Sequence, residues 1–367
     1  MSILKQIHIA DIHFGAIDPK LQFDILVDQV LNKLERLDFD VFFINGDLFH
    51  HKFMTNSDVV MYASMFIENV VNLCNYKHAE LVILHGTASH DANQLKIFYH
   101  YMGGQVPIYI VEHTSFIEVK GCKILCIPEE YNMGREYYEN FLYKSGTYDM
   151  AVMHGTLVES IYGKNVEDLD SNREPVFDIN SFKFCNGPII CGHVHTPKCY
   201  DYHMYYCGSP IRWQFGEEET KGFIICLFDT VTHKYYVHLE EVTSFRYDTI
   251  TLDSLVSYDP KSIISYINNL QATKGIDYLK VKFIENFDGL PIVKQYYKNK
   301  MNVVIDSSNV AFQEIAQQNQ QNFQEFEEYK YVLDKNLSPL DIFVRYINQQ
   351  KQDTYISVDE LRKILET

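Results

Sequence analysis

The stretch "ILKQIHIADIHFGA", residues 3–16, decides the fold of the first half of the chain. It begins with a largely apolar run of the kind that forms a buried strand, and it ends with Asp11, His13 and Gly15. Because side chains at positions i and i+2 of an extended chain point to the same side, Asp11 and His13 can face one metal ion together. Asp11 and His13 indicate a metal site only if other parts of the chain supply further ligands.

Strand-like and helix-like runs alternate over the first 240 residues. Residues 20–38 carry apolar side chains at helical spacing, and Ser57 is a suitable N-cap for a second helix over 57–76. The stretches 222–229 and 234–239 predict a closing antiparallel pair of strands. This rhythm is typical of the α/β class, in which helices pack on a sheet.

The length of 367 residues predicts more than one domain. Residues 1–243 hold the alternating pattern, and residues 244–306 form a shorter α/β module. Residues 307–337 are rich in Gln and Asn, which predicts a linker. Residues 338–367 predict two short amphipathic C-terminal helices.

Charge and composition restrict the class of protein. The net charge of −17 argues against a large basic surface that wraps DNA, but it is compatible with an enzyme that meets phosphate through bound metal. The eight cysteines form no Cys-x-x-Cys pair, so we expect reduced thiols. No apolar run is long enough for a membrane span and no signal peptide is recognisable, so we expect a cytoplasmic protein without membrane contact.

Five strand ends in succession deliver Asp or His side chains close to a glycine. The residues are Asp11, His13, Asp47, Ser89, His90, Asp91, His154, His193 and His195. Because the carboxyl ends of strands in an open α/β sheet meet at one crevice, we expect these side chains to converge. Mixed carboxylate and imidazole ligands suit manganese, iron or zinc better than calcium. The set is too large for one ion and fits two ions about 3.5–4 Å apart, as in phosphoester hydrolysis.

The ordered pattern DxH, GDxF, SHD, H and GHxH resembles the calcineurin-like metallophosphoesterase superfamily over residues 1–240. Two segments resemble the SbcD-type DNA repair and recombination nucleases, including their phage members, more narrowly: "GDLFHHKF" at 46–53 and "YYCGSPIRWQFGE" at 205–217. The resemblance implies a four-layer α/β/β/α sandwich, a small α/β capping domain that binds DNA, and C-terminal helices. It also implies a DNA exonuclease or endonuclease that uses two divalent ions, Mn²⁺ first and Mg²⁺ as the alternative.

The resemblance assigns metal ligands position by position. Asp11, His13 and His195 would hold one ion, and Asp47 would bridge both ions. His154 and His193 would hold the second ion together with one further ligand. Most members use the Asn of a Gly-Asn-His-Asp motif for that ligand. This chain has "GTASHD" instead, which places Ser89 there, with a backbone oxygen or water as the alternative.

Catalytic and DNA-contacting roles follow from the same resemblance. His90 would lie near the scissile phosphate, stabilising charge or protonating the leaving oxygen, and Asp91 would orient His90. Arg212 either contacts the DNA backbone or forms a surface salt bridge. Of the remaining histidines, which include His50 and His51, we expect most to be structural or exposed.

Partners follow from the resemblance as well. It implies a homodimer through helices within 57–76 and 92–102, and docking of residues 338–366 on an SbcC-type ATPase. Leu340, Phe343, Val344 and Ile347 share one helix face for such docking, but they could equally pack on their own domain. DNA with single- or double-stranded ends is the expected substrate. The alternatives are a phosphodiesterase or phosphatase for small substrates, and a catalytically weakened scaffold.

Overall fold

The computed structural model describes residues 3–91, 93–158, 176–201, 203–252, 259–284, 288–300 and 302–307, together with Val344 and Ser357. Contacts divide the chain into two units. The first comprises Met1–Asp248 and Gly275–Asp277, and the second comprises Thr249–Lys274 and Tyr278–Thr367. The sequence analysis placed this boundary after residue 243. The predicted linker over 307–337 and the predicted helices over 338–367 lie outside the described residues, apart from residues 307, 344 and 357.

The first unit contains two sheets of six strands. The first sheet has the order β14-β13-β1-β2-β3-β4. Its strands are β1 Ile3–Ile9, β2 Val41–Asn45, β3 Glu80–Leu84, β4 Ile108–Val111, β13 Gly222–Asp229 and β14 Tyr235–Glu241. β1 to β4 are parallel, whereas β13 pairs antiparallel with both β1 and β14. The predicted strand at the N-terminus and the predicted closing antiparallel pair are therefore confirmed.

The second sheet has the order β11-β12-β10-β7-β6-β5. Its strands are β5 Ser115–Val119, β6 Cys122–Ile127, β7 Met150–His154, β10 Ile189–Gly192, β11 Lys198–Tyr200 and β12 Met204–Tyr206. The four inner strands are parallel, and both edge strands are antiparallel to their neighbours. A separate short parallel pair joins β8 Thr156–Leu157 to β9 Val176–Phe177.

Helices cover the outer face of each sheet. The segment predicted to be helical over 20–38 forms α1 Pro19–Leu26, a turn of π-helix over Val27–Leu31 and the short α2 Asn32–Leu34. The helix α3 Asp58–Lys77 begins at the predicted N-cap, where the Ser57 hydroxyl accepts the Val60 N–H at 3.3 Å. α4 Arg135–Leu142 lies with the second sheet. The predicted dimer segment over 92–102 contains a 3₁₀ helix at Gln94–Tyr101.

Three apolar clusters define four layers. One cluster packs α1 and α3 on the first sheet, with Phe42 and Phe66 among its fully buried members. A second lies between the two sheets and joins residues such as Phe43 and Val152. The third packs α4 on the second sheet around Tyr148. The expected α/β/β/α sandwich is therefore the architecture of the first unit, and it buries one face of every helix and both faces of each sheet.

The second unit is a smaller α/β module. Its sheet has the order β15-β16-β17, formed by β15 Tyr247–Leu252, β16 Tyr278–Phe283 and β17 Val303–Asp306. The first two residues of β15 belong to the first unit. The helices α5 Pro260–Lys274 and α6 Leu290–Tyr297 contact each other, and α6 also contacts β17. Ile267, Leu279 and Val293 are fully buried.

Among the described helices, none has the length and apolar character that crossing a membrane requires. All eight cysteines are free thiols, as predicted, and only Cys199 is exposed.

Candidate active site

The predicted ligands converge because each follows the carboxyl end of a parallel strand. Asp11 comes two residues after β1 and Asp47 comes two residues after β2. His154 is the last residue of β7, and His193 directly follows β10. The ends of both sheets therefore point their ligands into one crevice between them.

The backbone at these ligands is strained rather than extended. Asp11 and His13 have φ of 51°, Asp47 has φ of 53° and His193 has φ of 96°. The expectation that Asp11 and His13 lie in extended chain is thus wrong, because both adopt the left-handed conformation. Non-glycine residues persist there only when their surroundings hold them, and such strain concentrates at functional sites.

A first cluster consists of Asp11, His13 and His195, whose ligand atoms lie within 4.8 Å of one another. The two imidazoles meet with 3.0 Å between their Nε2 atoms. Burial lowers the pKa of His13 to about 2 and that of His195 to about 4, so both rings are neutral and can offer lone pairs. Burial also raises the pKa of Asp11 to about 7. A nearby cation would therefore stabilise the ionised form of Asp11.

A second cluster consists of Glu129, His154 and His193. The Glu129 Oε2 atom lies 3.2 Å from His193 Nδ1 and 3.8 Å from His154 Nε2. Burial opposes ionisation of Glu129, but the hydrogen bond from His193 and the charge of His154 hold the pKa of Glu129 below its usual value. Glu129 is therefore a carboxylate within the cluster.

Asp47 lies between the two clusters. Its Oδ2 atom is 3.6 Å from His13 Nε2 in the first cluster and 3.4 Å from His154 Nε2 in the second. Its Oδ1 atom accepts the Thr87 N–H at 2.6 Å, which fixes the plane of the carboxylate. The Asp47 carboxylate therefore contacts both clusters.

The environment of His154 tests whether the residues fit a metal ion. Its Nδ1 donates to the Asn45 carbonyl at 2.7 Å, so Nε2 is the nitrogen that would face a metal ion. That Nε2 is buried, has no hydrogen-bond partner among the described residues and faces the Asp47 carboxylate. Burial opposes a charge on His154, but the neighbouring Asp47 carboxylate raises the pKa of His154 well above its usual value. The position therefore favours a positive charge, which a divalent cation can supply in place of the proton.

Two glycines let the backbone come close to His154. A Cβ on Gly46 would lie 2.2 Å from His154 Nδ1, and Gly46 has φ of 88°. A Cβ on Gly192 would lie 2.2 Å from the Asn45 oxygen and 2.8 Å from His154 Nδ1. The glycines that marked the strand ends in the sequence are therefore required by the packing around this ligand.

The loop after β3 differs from the expectation for Ser89. Ser89 is exposed, whereas Thr87, which directly follows Gly86, turns its side chain into the site. The Thr87 hydroxyl lies 3.3 Å from Asp47 Oδ2 and 3.2 Å from Glu129 Oε2. The two additional residues of "GTASHD" bulge outward after Thr87, so the structure offers no support for Ser89 as a ligand.

His90 and Asp91 are held by different partners from those expected. The His90 Nδ1 atom contacts the His50 carbonyl, which leaves Nε2 free to act. The buried Asp91 carboxylate accepts backbone N–H groups from Asp47, Phe49 and Gly86 at 2.8–3.1 Å. Asp91 therefore ties the loops after β2 and β3 together, and the prediction that it orients His90 is corrected.

Aromatic rings surround the first cluster. His50, interpreted as structural from the sequence, forms a group with His13 and His90 that has the spacing of metal ligands. The ring of Trp213 lies 5.1–5.4 Å from the rings of His13, His50 and His195. The sequence contained the signal for His50, because it follows the Gly-Asp-Leu-Phe element directly.

Arg212 and Lys221 stabilise the loop that carries Trp213. The Arg212 guanidinium donates to the carbonyls of Glu218 and Glu219, and contact of Arg212 with DNA stays a prediction. Lys221 is 1% exposed and donates to the His195 carbonyl at 2.8 Å and to Glu217 Oε1 at 3.1 Å. The other oxygen of Glu217 accepts the Trp213 N–H at 2.9 Å, so the buried pair joins this loop to a predicted ligand.

Glu129 is the site residue that the sequence interpretation missed. It follows β6, the neighbour of β7 in the second sheet, in the segment "CIPEEY". The rule that identified the other residues, an acidic or imidazole side chain after a parallel strand, applies here as well. The sequence pattern does not single out Glu129, because no glycine follows this strand as it does at the other strand ends.

The comparisons with known proteins agree with this geometry. The profile of the family described as "Calcineurin-like phosphoesterase" matches residues 4–197, more than half of the 367 residues. A viral relative, "Putative phosphoesterase 244L" of Invertebrate iridescent virus 6, is 24% identical over 242 residues, which cover 62% of this chain and 78% of that protein.

Solved structures are more distant. The structure of a protein of unknown function from Aquifex aeolicus, AQ665, is 16% identical with a TM-score of 0.26, and the match covers 56% of this chain and 89% of that one. Another is 13% identical with a TM-score of 0.40, covering 65% of this chain and all of that one. Scores this low add nothing to the assignment, which rests on the family profile and the convergent ligands. The chain belongs to the calcineurin-like phosphoesterase family, whose members hydrolyse phosphoesters with divalent metal ions.

Proposed function

We propose that this phosphoesterase is a manganese-dependent DNA nuclease with a two-ion site, with Mg²⁺ as the alternative metal. The observation that carries the two-ion site is the position of Asp47, whose Oδ2 lies 3.6 Å from the first cluster and 3.4 Å from the second. When bound, such ions supply Lewis acidity and a nucleophile at neutral pH. Asp11, His13 and His195 would hold one ion, and His154 and His193 would contribute to the other.

His90 has the geometry for proton transfer to the leaving oxygen. Its Nδ1 is held by the His50 carbonyl, so the ring orientation is set before substrate binds. Its ring lies 4.8 Å from that of His13, at the edge of the first cluster. A preoriented imidazole beside the reacting phosphate is a suitable general acid.

Two surfaces support DNA as the substrate. Trp213 and His50 place aromatic rings beside the first cluster, where a base next to the scissile phosphate can stack. In the second unit, Lys294, Lys298 and Lys300 line a groove of about 620 Å³, although the chain as a whole is acidic. Clustered lysines beside aromatic rings are typical of surfaces that meet a phosphate backbone.

Partner binding extends the proposal. Exposed Met61 and Met65 lie one turn apart on α3, which supports a homodimer through this helix. Residues 338–366 are proposed to dock on an SbcC-type ATPase, as the resemblance implies. We expect deletion of 338–366 to abolish co-purification with such an ATPase and to preserve metal-dependent cleavage. Co-purification of the truncated protein would contradict the docking proposal.

The nuclease proposal is tested with single- and double-stranded DNA and Mn²⁺. We expect cleavage by the wild-type protein and a loss of about 10²–10⁴-fold in the His90→Ala variant, the range for removal of a general acid. Manganese binding by this variant should be unchanged, because His90 is proposed to act on the substrate. His238→Ala is the matched control, since His238 is exposed on β14.

Other outcomes separate the alternatives. Turnover of mononucleotides or small phosphodiesters without cleavage of DNA would replace the nuclease proposal by the small-substrate one. No turnover of either class, with an intact fold, would indicate the scaffold. Full DNA cleavage by His90→Ala would exclude the role given to His90.

A further inference from the structure

Glu129 brings a negative charge to a part of the site where the resemblance calls for a neutral amide. Its carboxylate is fully buried, and Oε2 faces His193 Nδ1 at 3.2 Å and His154 Nε2 at 3.8 Å. All three residues have ligand atoms within 4.8 Å of one another. Glu129, which follows β6, therefore lies where the sequence motifs leave the second cluster one ligand short.

The neighbours of Glu129 fix how its carboxylate points. The Tyr131 hydroxyl donates to Oε1, the oxygen that faces away from the cluster. The Thr87 hydroxyl lies 3.2 Å from Oε2 and 3.3 Å from Asp47 Oδ2, between the two carboxylates. Oε1 thus accepts from Tyr131, whereas Oε2 accepts from Thr87 and faces the two histidines.

Thr87 also explains why a substitute ligand is needed. It directly follows Gly86, as the Asn follows Gly in the Gly-Asn-His-Asp motif of most family members. Its hydroxyl hydrogen-bonds to carboxylates, which leaves the second cluster without the amide oxygen. Ser89, the other hydroxyl of the loop, is exposed.

We propose that Glu129 is a direct ligand of the second metal ion, in place of the amide of the common motif. This inference rests on the proposed function, because it requires the two-ion site. With Asp47 and Glu129, the second ion meets two carboxylates and two imidazoles rather than one carboxylate, one amide and two imidazoles. The added charge strengthens binding of a divalent cation at this position.

The test measures metal binding rather than activity. Metal-free protein is titrated with Mn²⁺ by calorimetry, and bound manganese is counted after dialysis. We expect two ions per chain in the wild type and one in Glu129→Ala. Glu129→Gln, which restores a neutral amide oxygen, should bind the second ion about tenfold or more weakly than the wild type.

Matched controls isolate the ligand role. Glu130→Gln changes the adjacent buried carboxylate, which accepts hydrogen bonds from Thr114 and His113 outside both clusters, and it should bind two ions with wild-type affinity. Ser89→Ala should also bind two. Circular dichroism and thermal unfolding without metal establish that each variant is folded. If Glu129→Ala does not fold, the comparison of Glu129→Gln with the wild type decides the test.

A crystal structure of the manganese-loaded wild type distinguishes a ligand from a carboxylate that only orients His193. We expect Glu129 Oε2 at about 2.0–2.6 Å from the second ion, the range for oxygen ligands of divalent ions. Two ions of unchanged affinity in Glu129→Ala, or an Oε2 bonded only to His193, would overturn the inference. If the wild type binds fewer than two ions, the proposed two-ion function itself fails, which is a different result.

Discussion

The two metal clusters are built in different ways. The first draws Asp11 and His13 from one strand end and His195 from another, and all three belong to motifs that the sequence displays. The second combines His154 and His193 with Glu129, which comes from a strand end without a motif. In each cluster two residues are buried and the third, His195 or His193, is half-buried, and both clusters contact Asp47. The comparison shows that the family pattern contains all three residues of the first cluster, whereas the second cluster also includes a carboxylate that the fold brings in from outside the pattern.

Asp47 is common to both clusters, so its loss should have the largest effect. Asp47→Asn keeps the shape of the side chain and removes its charge. We expect manganese affinity at both positions and the rate of phosphodiester hydrolysis to fall by more than about 100-fold. Mutation of a residue that only hydrogen-bonds to a metal ligand already lowers affinity or activity by about 10–100-fold. Asp24→Asn, at an exposed carboxylate on α1, is the control. Loss at one position alone, measured by calorimetry, would show that Asp47 does not bridge.

Lys221 supports the first cluster only. Lys221→Met leaves the buried Glu217 without its cation and frees the His195 carbonyl, and removal of one partner of a buried pair costs about 3–5 kcal/mol. We expect that loss in the free energy of unfolding, together with weaker binding at the first position and unchanged binding at the second. The double variant Lys221→Met with Glu217→Gln should recover part of the stability. If urea unfolding shows a loss of less than about 1 kcal/mol in the free energy of unfolding, the Lys221–Glu217 pair does not stabilise this loop.

Gly192 packs against His154 of the second cluster, so a substitution there should affect the second position more than the first. Gly192→Ala places a methyl group against the Asn45 carbonyl and His154 Nδ1, so we expect a destabilisation of about 1–3 kcal/mol and weaker binding at the second position. Gly134→Ala is the matched control, because a Cβ there meets nothing within 4 Å and the backbone has φ of −67°. Thermal unfolding with and without Mn²⁺ measures both effects. Equal behaviour of the two variants would contradict the packing argument.

His8 makes the stability of the fold depend on pH, and among these changes it has the smallest expected effect on the metal site itself. Burial lowers the pKa of His8 from 6.5 to about 3, and Asn45, whose carbonyl holds His154, lies beside it. The unfolded chain binds a proton at His8 below pH 6.5, whereas the folded chain does not until about pH 3. His8 therefore lowers the free energy of unfolding by about 1.4 kcal/mol for each pH unit between those values as pH falls.

The measurement compares urea unfolding of the wild type and His8→Gln between pH 7.5 and 4. Other buried histidines contribute to both proteins, so the expected signal is the difference in slope, with the variant less sensitive to acid. Identical slopes would show that His8 is protonated at an ordinary pKa in the folded protein.

The sequence by itself determined the elements of the sandwich and most of the ligands. The largely apolar run "ILKQIHIA" and the helical spacing over 57–76 are local properties, because burial of a strand or of one helix face leaves its pattern in the residues nearby. The motif residues could be named for the same reason, since each lies at the end of a strand or within a few residues after it: Asp11, His13, Asp47, His154, His193 and His195.

Tertiary structure alone decided how these residues meet. The left-handed backbone at Asp11 and His13, the hydrogen bonds of Asp91 to two loops, and the entry of Glu129 into the second cluster all depend on contacts between segments far apart in the chain. Thr87 and Ser89 are chemically similar and two residues apart, and only the path of the loop turns one inward and the other to solvent. Such choices are made by the packing of whole strands, which no short stretch of sequence records.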